Sequence, residues 1–298
     1  MGDKPNKQHY VSRVYLKQFQ IDDDQNKSFI YGIDTSNKYR NKIQKFGLND
    51  TVFKLKKYYN HTYFENPYAL EEVFGKEIEP TYQNVINSLG KEGKLLREVK
   101  EQILEWIFVS KMRSPIFRDN HEDKLQFFRK VVKQHKGEEI TEEDEKEIKE
   151  KAKWGHLSTF IDEEKLKRMI DLFFGTLNAK HWKVLKAPDN FPFLGCDNPG
   201  FSPNVHPLFQ EQFPFHHVTE LNVNSVIYYV FSPRYCLEIR PFEFDTPLTD
   251  CALDMDVVFE DAPIEYITFI NTGTIYTSYK VFFSNISTQL TTFTGKKL

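Results

Sequence analysis

The apolar residues of this chain change their spacing along its length, and that change limits the folds open to it. From Pro67 they recur every three or four positions, as in Leu70, Val73, Phe74, Ile78, Tyr82, Val85, Ile86 and Leu89, the period of a helix with one buried stripe. After His181 they arrive instead in short runs, HWKVLKAP, PFLGCDNP, SVIYYVFSP and RYCLEIRP. These runs are rich in aromatic and β-branched residues and are cut by prolines, which is the texture of strands. The pattern predicts an α+β fold, one domain over residues 1–298, with a mostly antiparallel mixed sheet. Residues 67–175 form a helical insertion within it, a helical hairpin followed by further helices.

Local signals place the elements. In QHYVSRVYLKQF, residues 8–19, Val11, Val14, Tyr15 and Phe19 mark a short helix with His9 and Tyr10 at its entrance. SFIYGID and KYRNKIQKF flank Thr35-Ser36-Asn37 and read as a hairpin. Pro67 suits a first helical turn and Gly90 ends that helix. A second helix runs through Leu96, Val99, Ile103, Trp106, Ile107 and Ser110 to Arg113, where Pro115 forces a break or kink, and the two should pair antiparallel. Residues 121–153 include KGEEITEEDEKEIKEKAK, which has almost nothing to bury and reads as a solvated helix or a mobile insertion. Ile161, Leu166, Met169, Ile170 and Phe173 give one more amphipathic helix. Towards the end Asp261 is a cap candidate, Pro263 fits a first turn, Ile264, Ile267 and Ile270 supply a face as far as Asn271, and KVFFS returns as a strand.

Forty basic against forty-three acidic residues, a net charge of -3, gives no global positive field for unspecific nucleic-acid binding and leaves only a local basic groove open. Cys196, Cys236 and Cys251 contain no Cys-x-x-Cys pair, so neither a disulfide framework nor a thiolate zinc site is expected, and a reduced, cytoplasmic protein is. MGDKPNKQHY lacks the apolar run of a secretion signal, no stretch approaches the roughly 20 apolar residues of a membrane span, and no membrane partner is expected.

His9-Tyr10, Leu16, Phe19, Ile78-Glu79, Arg113, Pro115, Asp197-Asn198-Pro199, Ser232-Pro233 and Asn271 follow one another in an order that resembles the family known as domain of unknown function 4238. The resemblance spans nearly the whole chain. Two positions depart from it: Ser12 stands where the family usually has proline, and Cys196 where it usually has serine. The resemblance implies no established activity.

Chemistry narrows the candidates. His9 titrates near neutrality and stands at a helix start with free backbone donors, so it can serve as acid or base, or simply cap the helix. Glu79 lies near an apolar helix stripe and needs a cation, a metal or several donors; Arg113 can be that cation, in a structural ion pair, or grip a phosphate with its planar fork. Asp197 and Asn198 follow an apolar run at a turn, where they either make the turn or, respectively, hold a divalent ion and a developing negative charge. Tyr10, Arg13 and Asn271 complete the expected ligand-binding set. Neighbouring His216 and His217 face opposite ways in a strand, so they are not expected to share a zinc, and Tyr228, Tyr229 and Phe231 read as core. No His-Glu-x-x-His or glycine-rich phosphate loop occurs, and the Glu-x-Lys pieces near Glu147 belong to the solvated segment. The expectation is a phosphodiester hydrolase, nuclease-like, with His9, Glu79, Asp197 and Asn198 catalytic, Glu79 and Asp197 holding Mg or Mn, and a nucleic acid or nucleotide as substrate. The alternative is a ligand-binding or sensor module that uses the same pocket without turnover.

Overall fold

The computed structural model describes residues 7–22, 27–36, 42–60, 66, 68–178, 180–204, 215–217, 225–241 and 256–293. In chain order the first elements are β1 (Lys7–His9), α1 (Arg13–Lys17), β2 (Ile21–Asp22), β3 (Ser28–Asp34), β4 (Gln44–Phe46) and β5 (Lys54–Lys56). Six helices follow: α2 (Ala69–Val73), α3 (Glu79–Gly90), α4 (Arg97–Arg113), α5 (Pro115–Lys136), α6 (Glu142–Ser158) and α7 (Glu163–Asn178). The chain then returns to strands with β6 (Lys180–Lys186), β7 (Gly195–Cys196), β8 (Phe201–Pro203), β9 (Phe215–His217), β10 (Ile227–Val230), β11 (Tyr235–Pro241) and β12 (Val258–Asp261). It closes with α8 (Ile264–Tyr276), β13 (Val281–Ser284) and α9 (Ser287–Thr291). This is an α+β architecture with the helices inserted between β5 and β6.

Among the described residues three sheets carry the strands. The largest runs β12-β6-β11-β10-β8-β9 and is antiparallel except where β12 lies parallel to β6. β10 and the first five residues of β11 are buried on both faces, which is why their sequences read as continuous apolar runs. A second sheet runs β2-β3-β13-β7 with β4 also on β3, so the C-terminal strand β13 pairs with an N-terminal one. β1 and β5 form a two-stranded ribbon. Thr35 and Ser36 end β3 as expected for the hairpin, while Asn37 and residues 38–41 lie outside the described residues, as does Pro67.

The helices follow from the sequence with two local adjustments. A π-helical turn, Phe74–Ile78, joins α2 to α3. It lies immediately ahead of Pro80, which offers no N–H to the turn before it and crowds the carbonyl four residues back, so a wider turn relieves the helix there. α4 stops at Ser114, whose extended backbone (φ -63°, ψ 138°) leads into Pro115, and the Ser114 hydroxyl accepts from Ile116 N to start α5. Asn84 Nδ2 donates to Gln102 Oε1 (2.7 Å) and Arg113 to Glu79 (3.2 Å), so α3 and α4 run antiparallel. Tyr82 of α3 stacks near Trp106 of α4 (centroids 4.2 Å apart) and donates to the Phe231 carbonyl, tying the hairpin to the large sheet. Residues 121–153 form the end of α5, a short connection and most of α6, two largely exposed helices, the second opened by a capping box. Asp261 does not cap α8: it ends β12 and pairs with Lys186 (3.1 Å), and Pro263 occupies the cap position. α8 also runs past Asn271 to Tyr276. No helix among the described residues is long and apolar enough to cross a membrane.

Candidate functional site

The turn after β7 delivers Asp197, only 2% exposed, against the segment that leads into β13. Its carboxylate accepts three backbone N–H groups, Tyr279 (2.7 Å), Lys280 (2.8 Å) and Val281 (3.2 Å). The Tyr10 hydroxyl lies 3.0 Å from the same carboxylate and 2.7 Å from the Val52 carbonyl, with one hydrogen to share between them. Burial outweighs the backbone donors and pushes the carboxyl up to about 6. The phenol of Tyr10, buried beside that acid, is pushed well above its ordinary range.

Asn198 is equally enclosed. Its amide donates to Thr277 O (2.9 Å), and its side-chain oxygen accepts from Lys111 Nζ (3.2 Å). Lys111, on α4, also donates to Gly200 O (2.6 Å), and burial lowers it to about 7. Gly200 adopts φ +89°, and a side chain there would meet the Tyr229 ring at 2.8 Å, so the turn needs glycine. Lys111 was not among the residues expected from the sequence. Its signal was available, because it stands on the apolar stripe of Leu104, Ile107 and Phe108, where a lysine needs a buried reason.

Arg113, at the end of α4 and 3% exposed, spends its guanidinium on the protein. Nη1 donates to Glu79 (3.2 Å), Nη2 to the His9 carbonyl (3.0 Å) and Nε to the Tyr59 hydroxyl (3.2 Å), while the plane lies 4.4 Å from the Phe74 ring centroid. Each of the three hydrogen bonds and the ring contact meets a different segment. His9 follows with its ring nitrogen Nε2 at 3.3 Å from Leu48 O, and burial, helped by Lys54, lowers it to about 4, so the imidazole is neutral at pH 7. Asn271 of α8 accepts from Leu194 N (2.8 Å) and donates to Pro192 O (3.1 Å), gripping the segment that enters β7. Arg13 is exposed on α1.

One narrow cavity of about 20 Å³, room for a water or a single oxygen-bearing group, is lined by Tyr10, Arg113 and Asp197. His9, Glu79, Asn198, Arg13 and Asn271 do not line it. The expected set is therefore divided: three members meet at the cavity and five do not. Ser12, Tyr15 and Trp106 also line it, and the Ser12 Oγ, Tyr15 hydroxyl and Trp106 Nε1 are buried without a hydrogen-bond partner among the described residues. The indole N–H faces the Tyr229 hydroxyl and the Tyr15 hydroxyl the Cys196 backbone, weak contacts that fall short of full hydrogen bonds. Trp106, Ser110 and Arg113 share one stripe of α4, and Tyr229 donates to Ser110 Oγ (2.8 Å) across the wall. Read as core, Trp106 and Tyr229 concealed their polar ends.

The two acids expected to hold a metal are engaged separately, Glu79 by Arg113 and Asp197 by three backbone amides. Among the described residues no three His, Cys, Asp or Glu side chains gather as a metal-ligand group. Among the described residues Glu79 and Asp197 thus do not share one ligand set.

A family model described as "Protein of unknown function (DUF4238)" matches residues 7–288. The chain belongs to the DUF4238 family. No curated protein and no solved structure matched it in the corresponding comparisons. In this DUF4238 chain Ser12 has φ -65° and ψ 136°, a conformation that a proline can also take. Serine adds the unpartnered hydroxyl at the cavity. Cys196 is fully buried and its thiol is pushed up to about 12, which leaves it unreactive.

Proposed function

We propose that this DUF4238 protein is a ligand-binding module whose narrow pocket receives one oxygen-bearing group of a small polar molecule. The observation that carries this reading is the convergence of three buried polar residues, Ser12, Tyr15 and Trp106, with unpartnered atoms on one cavity. A buried donor without a partner costs about 1–3 kcal/mol, so a group that satisfies several of them gains what the empty protein forgoes. Trp106 Nε1 can only donate and the two hydroxyls can donate, so the complementary ligand atom is an acceptor, a carbonyl, hydroxyl, carboxylate or phosphate oxygen. Tyr10, Asp197 and Arg113 then act as wall: their bonds to the protein hold the pocket's shape.

Phosphodiester hydrolysis keeps one specific support. Asp197 lines the same cavity as Arg113, and a carboxyl at about 6 is in the range where a side chain exchanges protons with a substrate. For that reaction with Mg or Mn, Glu79 and Asp197 would have to leave their present partners. Calorimetry of the intact protein with a panel of nucleotides, with and without Mg or Mn, separates the two. Metal-independent binding, lost in Tyr15→Phe and Trp106→Phe, with the ligand recovered intact, is the expected result. Metal-dependent cleavage of RNA or DNA abolished by Asp197→Asn would instead establish the hydrolase.

A further inference from the structure

Residues 124–136 of α5 carry Lys124, Arg129, Lys130, Lys133 and Lys136 with no acidic residue, in a chain whose net charge is -3. Such a run on a helix ordinarily reads as a solvated face. Its arrangement here is the reverse. Arg129 and Lys133, one turn apart, face α6 and bind it through ion pairs: Arg129 to Asp144 (3.4 Å) and Glu147, Lys133 to Asp144 (3.1 Å). Lys133 also meets Glu138 (3.2 Å) in the connecting loop. The polar stripe is therefore consumed inside the hairpin. The opposite stripe, at the spacing i, i+1, i+4, i+5, is Phe127, Phe128, Val131 and Val132, exposed to 64%, 64%, 48% and 51%. Two aromatic and two β-branched side chains on one helical arc are thus left in water, a contiguous apolar face of the kind that marks a docking surface.

Charge selects the occupant. Lys124, Lys130 and Lys136 are exposed around the arc against one exposed acid at its N-terminal end, Asp123, and His135 lies on it. A second copy would bring the same cations against themselves, a juxtaposition that opposes self-association. A surface with negative charge and an apolar interior meets both demands at once. Phe127 and Phe128 can enter the boundary between headgroups and acyl chains while the lysines stay at the phosphates. The helix has too many charges to go deeper, consistent with a surface position. We propose that the exposed face of α5 docks this protein peripherally on anionic lipid. This rests on the α5–α6 hairpin alone and is independent of the pocket.

Co-sedimentation of the full chain with vesicles tests it. The protein should pellet with phosphatidylcholine vesicles containing about 30% phosphatidylserine and stay in solution with phosphatidylcholine alone. The pair Phe127→Ser and Phe128→Ser, and separately the pair Lys124→Glu and Lys130→Glu, should each weaken that binding by roughly tenfold or more. All four positions are exposed, so the melting temperature should not move, and circular dichroism should show the helices intact. No pelleting with the anionic vesicles, or pelleting that neither pair reduces, overturns the proposal. So does a dimer in sedimentation velocity that the phenylalanine pair dissolves, because the face would then belong to a second copy.

Discussion

Asp197 illustrates how burial and hydrogen bonding compete on one side chain. Three backbone donors favour the carboxylate, yet at 2% exposure the loss of water wins and the carboxyl rises from 3.8 to about 6. Tyr10 makes the protonated form useful. Its single hydrogen is shared between Val52 O and Asp197, and a protonated Asp197 can donate back to the phenol oxygen, leaving that hydrogen to Val52 alone. A folded-state pKa above the unfolded value means the folded protein holds the extra proton between the two. The resulting stability is fully present below about 3.8 and is lost as pH rises through about 6. That rise corresponds to something on the order of 3 kcal/mol. His9 and His156 are lowered, to about 4 and about 3, and act in the opposite sense: their stability is present above 6.5 and is lost on acidification. Comparing wild type with Asp197→Asn cancels the histidines. In urea unfolding at about pH 4.5 and about pH 7.5, the advantage of wild type over the variant should be larger at the lower pH by roughly 1–3 kcal/mol. An advantage independent of pH would mean that the carboxyl titrates at its ordinary value.

Among the elements, α6 shows most directly how a polar sequence is ordered. Thr141 accepts from Asp144 N (3.2 Å) and Asp144 closes the box on Thr141 N (3.0 Å), while Ile148, Ala152 and His156 give the helix its buried side. Thr141→Ala should cost about 1 kcal/mol, measured by chemical denaturation and by faster hydrogen exchange at the first amides of α6. Exchange and stability both unchanged would show that the cap is dispensable. The helices at 79–90 and 97–113 were legible in the sequence because their apolar residues repeat with the helical period and are met by a core. α5 and α6 were less so. Their ion pairs join two charged stripes that periodicity cannot pair, and Phe127, Phe128, Val131 and Val132 in the second half of α5 face outward, against the usual reading of an amphipathic helix. Asp261 misled for a local reason: Asp-x-Pro resembles a helix start, but the backbone there is still committed to β12, whose partner β6 supplies Lys186.

At the scale of the molecule, the sequence supplied the chemistry of the site and not its connections. Tyr10 and Asp197 lie 187 positions apart, and only the pairing of β13 with β3 and β7 brings the C-terminal segment under the Asp197 turn. The same assembly decides what Glu79 is for. Arg113 joins the helical insertion to β1 through the His9 carbonyl and to Tyr59; among the described residues Glu79 is the one carboxylate in direct contact with it, and Glu71 acts on it through the field alone. The guanidinium side chain is 4% exposed and the Glu79 side chain 20%, so the arginine depends on its partner more than the acid does. Glu79→Ala would strand a buried cation with only neutral acceptors, and the expected loss is about 2–4 kcal/mol. Glu79→Gln keeps an acceptor for Nη1 and should lose about half as much. Arg113→Met made in the Glu79→Ala background should then cost far less than in wild type, with a coupling of roughly 1–3 kcal/mol in the double-mutant cycle. Urea denaturation of the four proteins gives that number directly. If Glu79→Ala proves nearly neutral and the cycle closes without coupling, Glu79 is spare of structural duty and free for a ligand or a metal. A large coupling makes it the internal counterion that lets a charged arginine sit at the junction of helices and strands.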